Sequence, residues 1–177
     1  AMRTFLDFID PREQMTAAYC AAQENHLKII RLLHEMRADL DKPNTVDGGT
    51  PTGIAAQEGH TAMVQLLYDL GADVHRARND GARPIHAAAQ LGQDKTVLLL
   101  LSIRADVNVQ ANGGQTPCYM AASFGHTSAA SLLLDAKADP NIADGDNSTA
   151  ADAAHAYNNT STLELLLARG GRQYRTG

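Results

Sequence analysis

The chain is predicted to be an all-α solenoid of stacked helix–turn–helix units. Three coincident ladders carry the prediction. Thr50-Pro51, Arg83-Pro84, Thr116-Pro117 and Thr149-Ala150 recur at an interval of 33 residues. The leucine pairs Leu66-Leu67, Leu99-Leu100, Leu132-Leu133 and Leu165-Leu166 keep that interval, and so do Gly59, Gly92 and Gly125. A fixed period of this length marks a repeat architecture, in which each unit buries its apolar face against its neighbours.

A first copy fits at an interval of 34: Ala21-Ala22 matches Ala55-Ala56, and Leu32-Leu33 matches Leu66-Leu67. One extra residue therefore lies between Lys42 and Gly48. The period divides the chain into an N-terminal extension or capping segment at 1–10 and copies at 11–44, 45–77, 78–110, 111–143 and 144–177, the last including a tail. The first and last copies are expected to act as caps.

Each copy has the same internal order. A glycine turn opens it (Asp47-Gly48, Asp80-Gly81, Gly113-Gly114). Thr-Pro then starts a short helix, because proline's missing N–H costs nothing in the first turn. A small Ala pair lets neighbouring helices approach closely. Gly59, Gly92 or Gly125 ends the helix in the left-handed region. A second helix places Met63, Val64, Leu66 and Leu67 at helical spacing. A short extended segment, such as Ala72-Asp73-Val74, leads to the next turn.

These residues resemble the ankyrin repeat. Its pattern of Gly, Thr-Pro-Leu-His, Ala-Ala, Gly-His, Leu-Leu and Gly-Ala-Asp-Val-Asn is matched by Gly81, Arg83-Pro84-Ile85-His86, Ala88-Ala89 and Gly92. It is matched again by Gly59-His60, Leu67 and Gly71-Ala72-Asp73-Val74. The resemblance covers roughly residues 11–174. It implies an ankyrin-repeat solenoid of helix pairs stacked in an L-shaped section, β-turn fingers projecting at about a right angle, and a non-enzymatic role in protein–protein recognition.

The end copies depart from the pattern. The first reads Gln14-Met15-Thr16-Ala17, without the glycine turn or Thr-Pro. The fifth has Asn147 for Gly, Ala150 for Pro and Asn158-Asn159 for Gly-His, and breaks off at Gly170-Gly171. End units meet water on one face, so such departures are expected. Residues 1–10, with Phe5, Leu6, Phe8 and Ile9, read either as a short capping helix over the first copy or as the remnant of a preceding element. Ala1 ahead of Met2 reads as a cloning remnant, which allows a longer parent protein. Arg37, Arg104 and Lys137 stand where Gly71 and Gly170 end second helices. A side chain there costs roughly 1 kcal/mol against Gly, and a cation at a helix C-terminus returns about 0.3–1 kcal/mol.

Composition narrows the function. A net charge of −5 argues against a general nucleic-acid or anionic-membrane binder. No run approaches the ~18 apolar residues of a membrane span, and no signal peptide is visible. Two cysteines, Cys20 and Cys118, are not a disulfide framework. They lie three copies apart, beyond the ~7 Å reach of a bond, and are expected to be buried and inert. A cytoplasmic or nuclear location is expected.

No motif carries chemistry. Asp47-Gly48-Gly49-Thr50-Pro51-Thr52-Gly53 lacks the Lys-Ser/Thr of a phosphate loop and is one copy of the repeat turn. The histidines form no His-Glu-x-x-His and no Cys/His cluster. His26, His60 and His126 share one register and are expected to hydrogen-bond across their turns; His86 is expected to be structural too. No catalytic residue, cofactor, metal or small-molecule substrate is expected. Asn108 resembles the position that asparagine hydroxylases modify in this family, and its plainer reading is a side chain bonding the turn backbone.

The resemblance puts the partner, another protein, on first-helix faces and finger tips. The two residues before each first-helix glycine position are expected to face it: Gln23-Glu24, Gln57-Glu58, Gln90-Leu91, Ser123-Phe124 and Ala156-Tyr157. Glu24 and Glu58 make the first half acidic. Leu91, Phe124 and Tyr157 form an apolar and aromatic row, the composition of a binding hot spot. Arg76, Arg78 and Arg83 mark one finger as basic, and Asp139, Asp144 and Asp146 mark another as acidic. Leu98 is expected on the back as an exposed apolar residue. The expectation is a monomeric, non-enzymatic scaffold that binds through its concave face and finger tips. The alternative is a regulatory or targeting module of a larger enzyme, kinase or channel.

Overall fold

The computed structural model describes residues 7–9 and 14–174. The chain forms two compact units, Ala1–Pro84 and Ile85–Gly177. Unit 1 holds α1 (Ala17–Gln23), α2 (Leu27–Glu35), α3 (Pro51–Gln57) and α4 (Thr61–Asp69). Within it α1 packs on α3 and α2 on α4, while each first helix lies against its own second helix. Unit 2 holds α5 (Pro84–Gln90) from Ile85 onward, α6 (Asp94–Ser102), α7 (Pro117–Ser123), α8 (Thr127–Asp135), α9 (Ala150–Ala156) and α10 (Thr160–Ala168). Here α7 packs on α9, α6 on α8 and α8 on α10.

Helices of seven and nine residues are too short to persist alone in water, so stacking has to hold them. The buried residues show how. First helices contribute small side chains, Ala21-Ala22, Ala55-Ala56, Ala88-Ala89, Ala121-Ala122 and Ala153-Ala154. Second helices contribute Ile30, Leu33, Val64, Leu67, Val97, Leu100, Leu133 and Leu166. The core is thus a series of thin Ala and Leu layers.

Local chemistry starts and stops each helix. Thr16, Thr50, Thr116 and Thr149 have extended backbones and accept a backbone N–H from the first turn. Thr16 does this without the following proline. Thr149 goes further: it forms a capping box in which the Asp152 carboxylate also accepts the Thr149 N–H. Gly59, Gly92 and Gly125 end first helices at positive φ, and Asn25 and Asn158 take the same conformation in the end copies. Arg37, Arg104 and Lys137 share positive φ with Gly71 and Gly170, as the register predicts.

The finger loops repeat too. Gly48, Gly81 and Gly114 have positive φ, and Gln14 and Asn147 adopt it in the degenerate copies. Neighbouring fingers are joined within each unit by Thr45 N–H to Gln14 O, Asn79 N–H to Asp47 O and Gly145 N–H to Gly113 O. One first-helix register pins the loop with different polar groups. Tyr19 hydrogen-bonds Asn44. His86 Nε2 lies 3.1 and 3.2 Å from the carbonyls of Val109 and Gln115. Carbonyls only accept, so Nε2 carries the proton. Tyr119 hydrogen-bonds Asp144 and Ser148.

Four expectations need correction. The extended segment expected at Ala72-Asp73-Val74 does not run through Val74, which lies in a turn with His75 where the Asp73 carboxylate accepts the His75 N–H. Residues 7–9 are not helical: Ile9 makes an isolated antiparallel bridge to Thr16, and Phe8 is exposed. Phe5 and Leu6 lie outside the described residues. Cys20 is exposed, while Cys118 is buried as expected. Among the described residues no helix precedes α1, and Ala17 and Cys20 on it are exposed. Finally, His60 does not bond across its own turn. Its Nε2 reaches the Gln23 carbonyl of the preceding helix pair at 3.0 Å.

Candidate protein-binding surface

The row read from the register sits at first-helix ends. Glu24, Glu58, Phe124 and Tyr157 are the C-cap residues of α1, α3, α7 and α9, and Leu91 directly follows α5. A C-cap side chain leaves the helix after its packing face has ended, so it meets water. Leu91, Phe124 and Tyr157 are 44%, 52% and 66% exposed. Glu24 and Glu58 are exposed in unit 1, where Glu58 accepts a hydrogen bond from Gln57.

Unit 2 gathers part of this row into a groove of about 550 Å³ lined by Gln115, Tyr119, Met120, Ser123, Phe124 and Tyr157. Phe124 and Tyr157 come together there. Leu91 is exposed but does not line the groove, and Gln90 is half-buried. Ser123 turns its hydroxyl back to the Tyr119 carbonyl at 3.0 Å. Its contribution to the wall is a small, internally satisfied side chain.

Tyr119, Met120 and Gln115 were not in the sequence-derived set. Tyr119 and Met120 stand four residues before Ser123 and Phe124, so the helical period places them on the same face. That spacing was the missed signal. Gln115 sits in the loop before α7, where no periodicity reports. Burial raises the Tyr119 hydroxyl pKa, and the hydrogen bond to Asp144 raises it further. Tyr119 is therefore a fixed neutral wall.

Several finger charges are engaged within their own unit, while Arg76, Asp80, Asp139 and Asp146 stay exposed. Arg78 pairs with Asp80 at 2.6 Å and approaches Asp47 at 3.6 Å. Arg76 donates to the Asp41 carbonyl at 3.2 Å. Burial alone would raise the Asp80 carboxyl, but hydrogen bonds from Arg78 and the Ala82 N–H outweigh it and hold it below its ordinary value. Asp144 is buried and accepts the N–H groups of Asp146 and Ser148. Asp139 accepts the N–H of Asn141. Asn108 Oδ1 accepts the Asp139 N–H at 2.8 Å, tying its turn to the loop of the following pair. Leu98 is half-exposed on α6, as its register predicts.

Among the described residues no three His, Cys, Asp or Glu side chains gather in a metal-binding set. No described helix is long and apolar enough to cross a membrane.

Paired short helices, capped by Thr and joined by left-handed Gly or Asn, define a helical repeat protein. The family model described as ankyrin repeats (3 copies) matches residues 2–78, 21–111 and 85–176, and the chain belongs to the ankyrin repeat family. No curated protein matches the chain. Ankyrin repeats are general protein–protein interaction modules and generally non-catalytic.

Proposed function

We propose that the chain is a non-enzymatic, monomeric scaffold that binds a protein partner through first-helix ends, with the groove of unit 2 as the anchoring site. One observation carries the reading. Phe124 and Tyr157 remain more than half exposed beside the apolar flank of Met120. Aromatics in a pocket supply contact area at low entropic cost, which is why they dominate binding hot spots. The matching partner presents one or two large apolar side chains to the groove. Glu24 and Glu58 add acidic contacts on unit 1, which suit a segment with basic residues. Arg76 and Arg78 are engaged within their own unit and have a smaller part. A cytoplasmic or nuclear setting suits Cys20 and Cys118, which both lie outside disulfides.

The test compares affinity capture by the native chain and by a Leu91→Ala, Phe124→Ala, Tyr157→Ala variant. Loss of the captured partner with an unchanged melting temperature supports the reading. Unchanged capture, or a large fall in stability, overturns it.

A further inference from the structure

We infer that the outer face of α2 is a stacking surface for a further helix pair, preceding Met2 in the same polypeptide, for which Asp7 to Ile9 belong to the closing loop. Three observations converge on this. The first is a hydrogen bond. Asp7 Oδ1 accepts the Asp39 N–H at 2.7 Å, across 32 residues. Asp41 accepts the Asp73 N–H across the same 32 residues. In unit 2, Asn108 accepts from Asp139 and Asn141 from Arg172, each across 31. In those three cases the acceptor lies in the loop closing one helix pair and the donor in the loop closing the next. Asp7 plays the acceptor's part, so it belongs to the loop closing a pair before α1 and α2. The sequence agrees at an interval of 34: Met2-Arg3, Leu6-Asp7, Gln14 and Thr16 repeat as Met36-Arg37, Leu40-Asp41, Gly48 and Thr50.

The second is an uncovered apolar row. Ile29 and Leu32 are 44% and 56% exposed, and Met36 is exposed beside them. Their equivalents Met63 and Leu66, on the helix that packs against α2, are buried. In unit 2 the register of Ile29 holds Thr96, Ala129 and Thr162, all buried. The face of α2 thus has the composition of an interior stacking face.

The third is a histidine whose register, in two other copies, reaches back to the preceding pair. His60 reaches the Gln23 carbonyl, and Asn159 at the same register reaches those of Ala122 and Ser123. Each target ends the first helix of the preceding pair. His26 holds this register, is exposed, and makes no ring hydrogen bond among the described residues. A preceding pair would supply its carbonyl and the cover for Ile29 and Leu32 together.

The probe is the full chain with its own Thr50–Asp69 segment added directly before Met2, which sets a helix pair in register. A control inserts Gly-Ser-Gly at the junction. Stacking in register slows α2 amide exchange by roughly tenfold or more and raises the melting temperature; the control does neither. Leu32→Lys abolishes the gain in the extended chain and leaves the unextended chain unchanged. No gain on extension overturns the inference. A large loss of stability from Leu32→Lys in the unextended chain would mean that its own residues cover the face. A dimer dissolved by that change would mean that a second copy does. Partner capture through Phe124 is a separate readout.

Discussion

Asn159 Nδ2 donates to the carbonyl oxygens of Ala122 and Ser123 at 2.8 and 2.9 Å. It does for the last pair what His60 Nε2 does for the second. In both, a side-chain donor at the start of a second helix reaches carbonyls at the end of the preceding first helix. Carbonyls in the last turn of a helix lack their full set of intrahelical donors, although Ala122 O also accepts the Gly125 N–H. Asn159→Ala is expected to cost about 1–2 kcal/mol, and Asn159→His to recover much of it. Thermal melts of the three chains check this. Gly125→Ala is expected to destabilise as well. Its φ is +74°, and a Cβ there would lie 2.7 Å from Asn159 Oδ1.

Thr52 is fully buried, and its hydroxyl has no hydrogen-bond partner among the described residues. Its register holds Ile85, Cys118 and Ala151 in the copies that follow, all buried and apolar. Thr52→Val keeps the shape and removes the unpaired hydroxyl. It is expected to stabilise unit 1 by about 1 kcal/mol, read as a rise in the denaturant midpoint. A neutral or lower midpoint would show that the hydroxyl is satisfied in solution.

The Thr149 capping box replaces Thr-Pro in the last copy. Thr149→Ala is expected to cost about 1–2 kcal/mol, and Thr149→Ser much less. Asp152→Ala should cost more than Thr149→Ala. The Asp152 carboxylate also accepts the Tyr174 N–H at 2.9 Å and so anchors the tail. Proteolysis of the tail should be faster in both variants than in the native chain, because Thr149 Oγ1 also donates to the Arg172 carbonyl at 2.7 Å.

The two thiols should differ sharply. Burial, aided by the charge of Asp139, pushes the Cys118 thiol up to about 12. The thiolate is the reactive species, so native Cys118 is inert at pH 8, and Cys20 is exposed. A thiol reagent should label one cysteine per native chain and both after unfolding. Fast labelling of native Cys118 would show that unit 2 opens readily.

The sequence by itself determined the period, the helix pairs, the Ala and Leu layers and the row at first-helix ends. These follow from register, because a repeat places equivalent residues in equivalent surroundings. The tertiary structure decided what lies beside each residue. It turned Arg78 and Asp144 inward to partners in their own loops. It brought Tyr119 and Met120 to the groove of Phe124 and Tyr157. It left Cys20, Ile29 and Leu32 exposed, though their registers are buried in the next copy. Register gives the kind of surroundings a residue expects. Whether a neighbour is there to provide them depends on the packed chain, and the outer side of the first helix pair is where the two part.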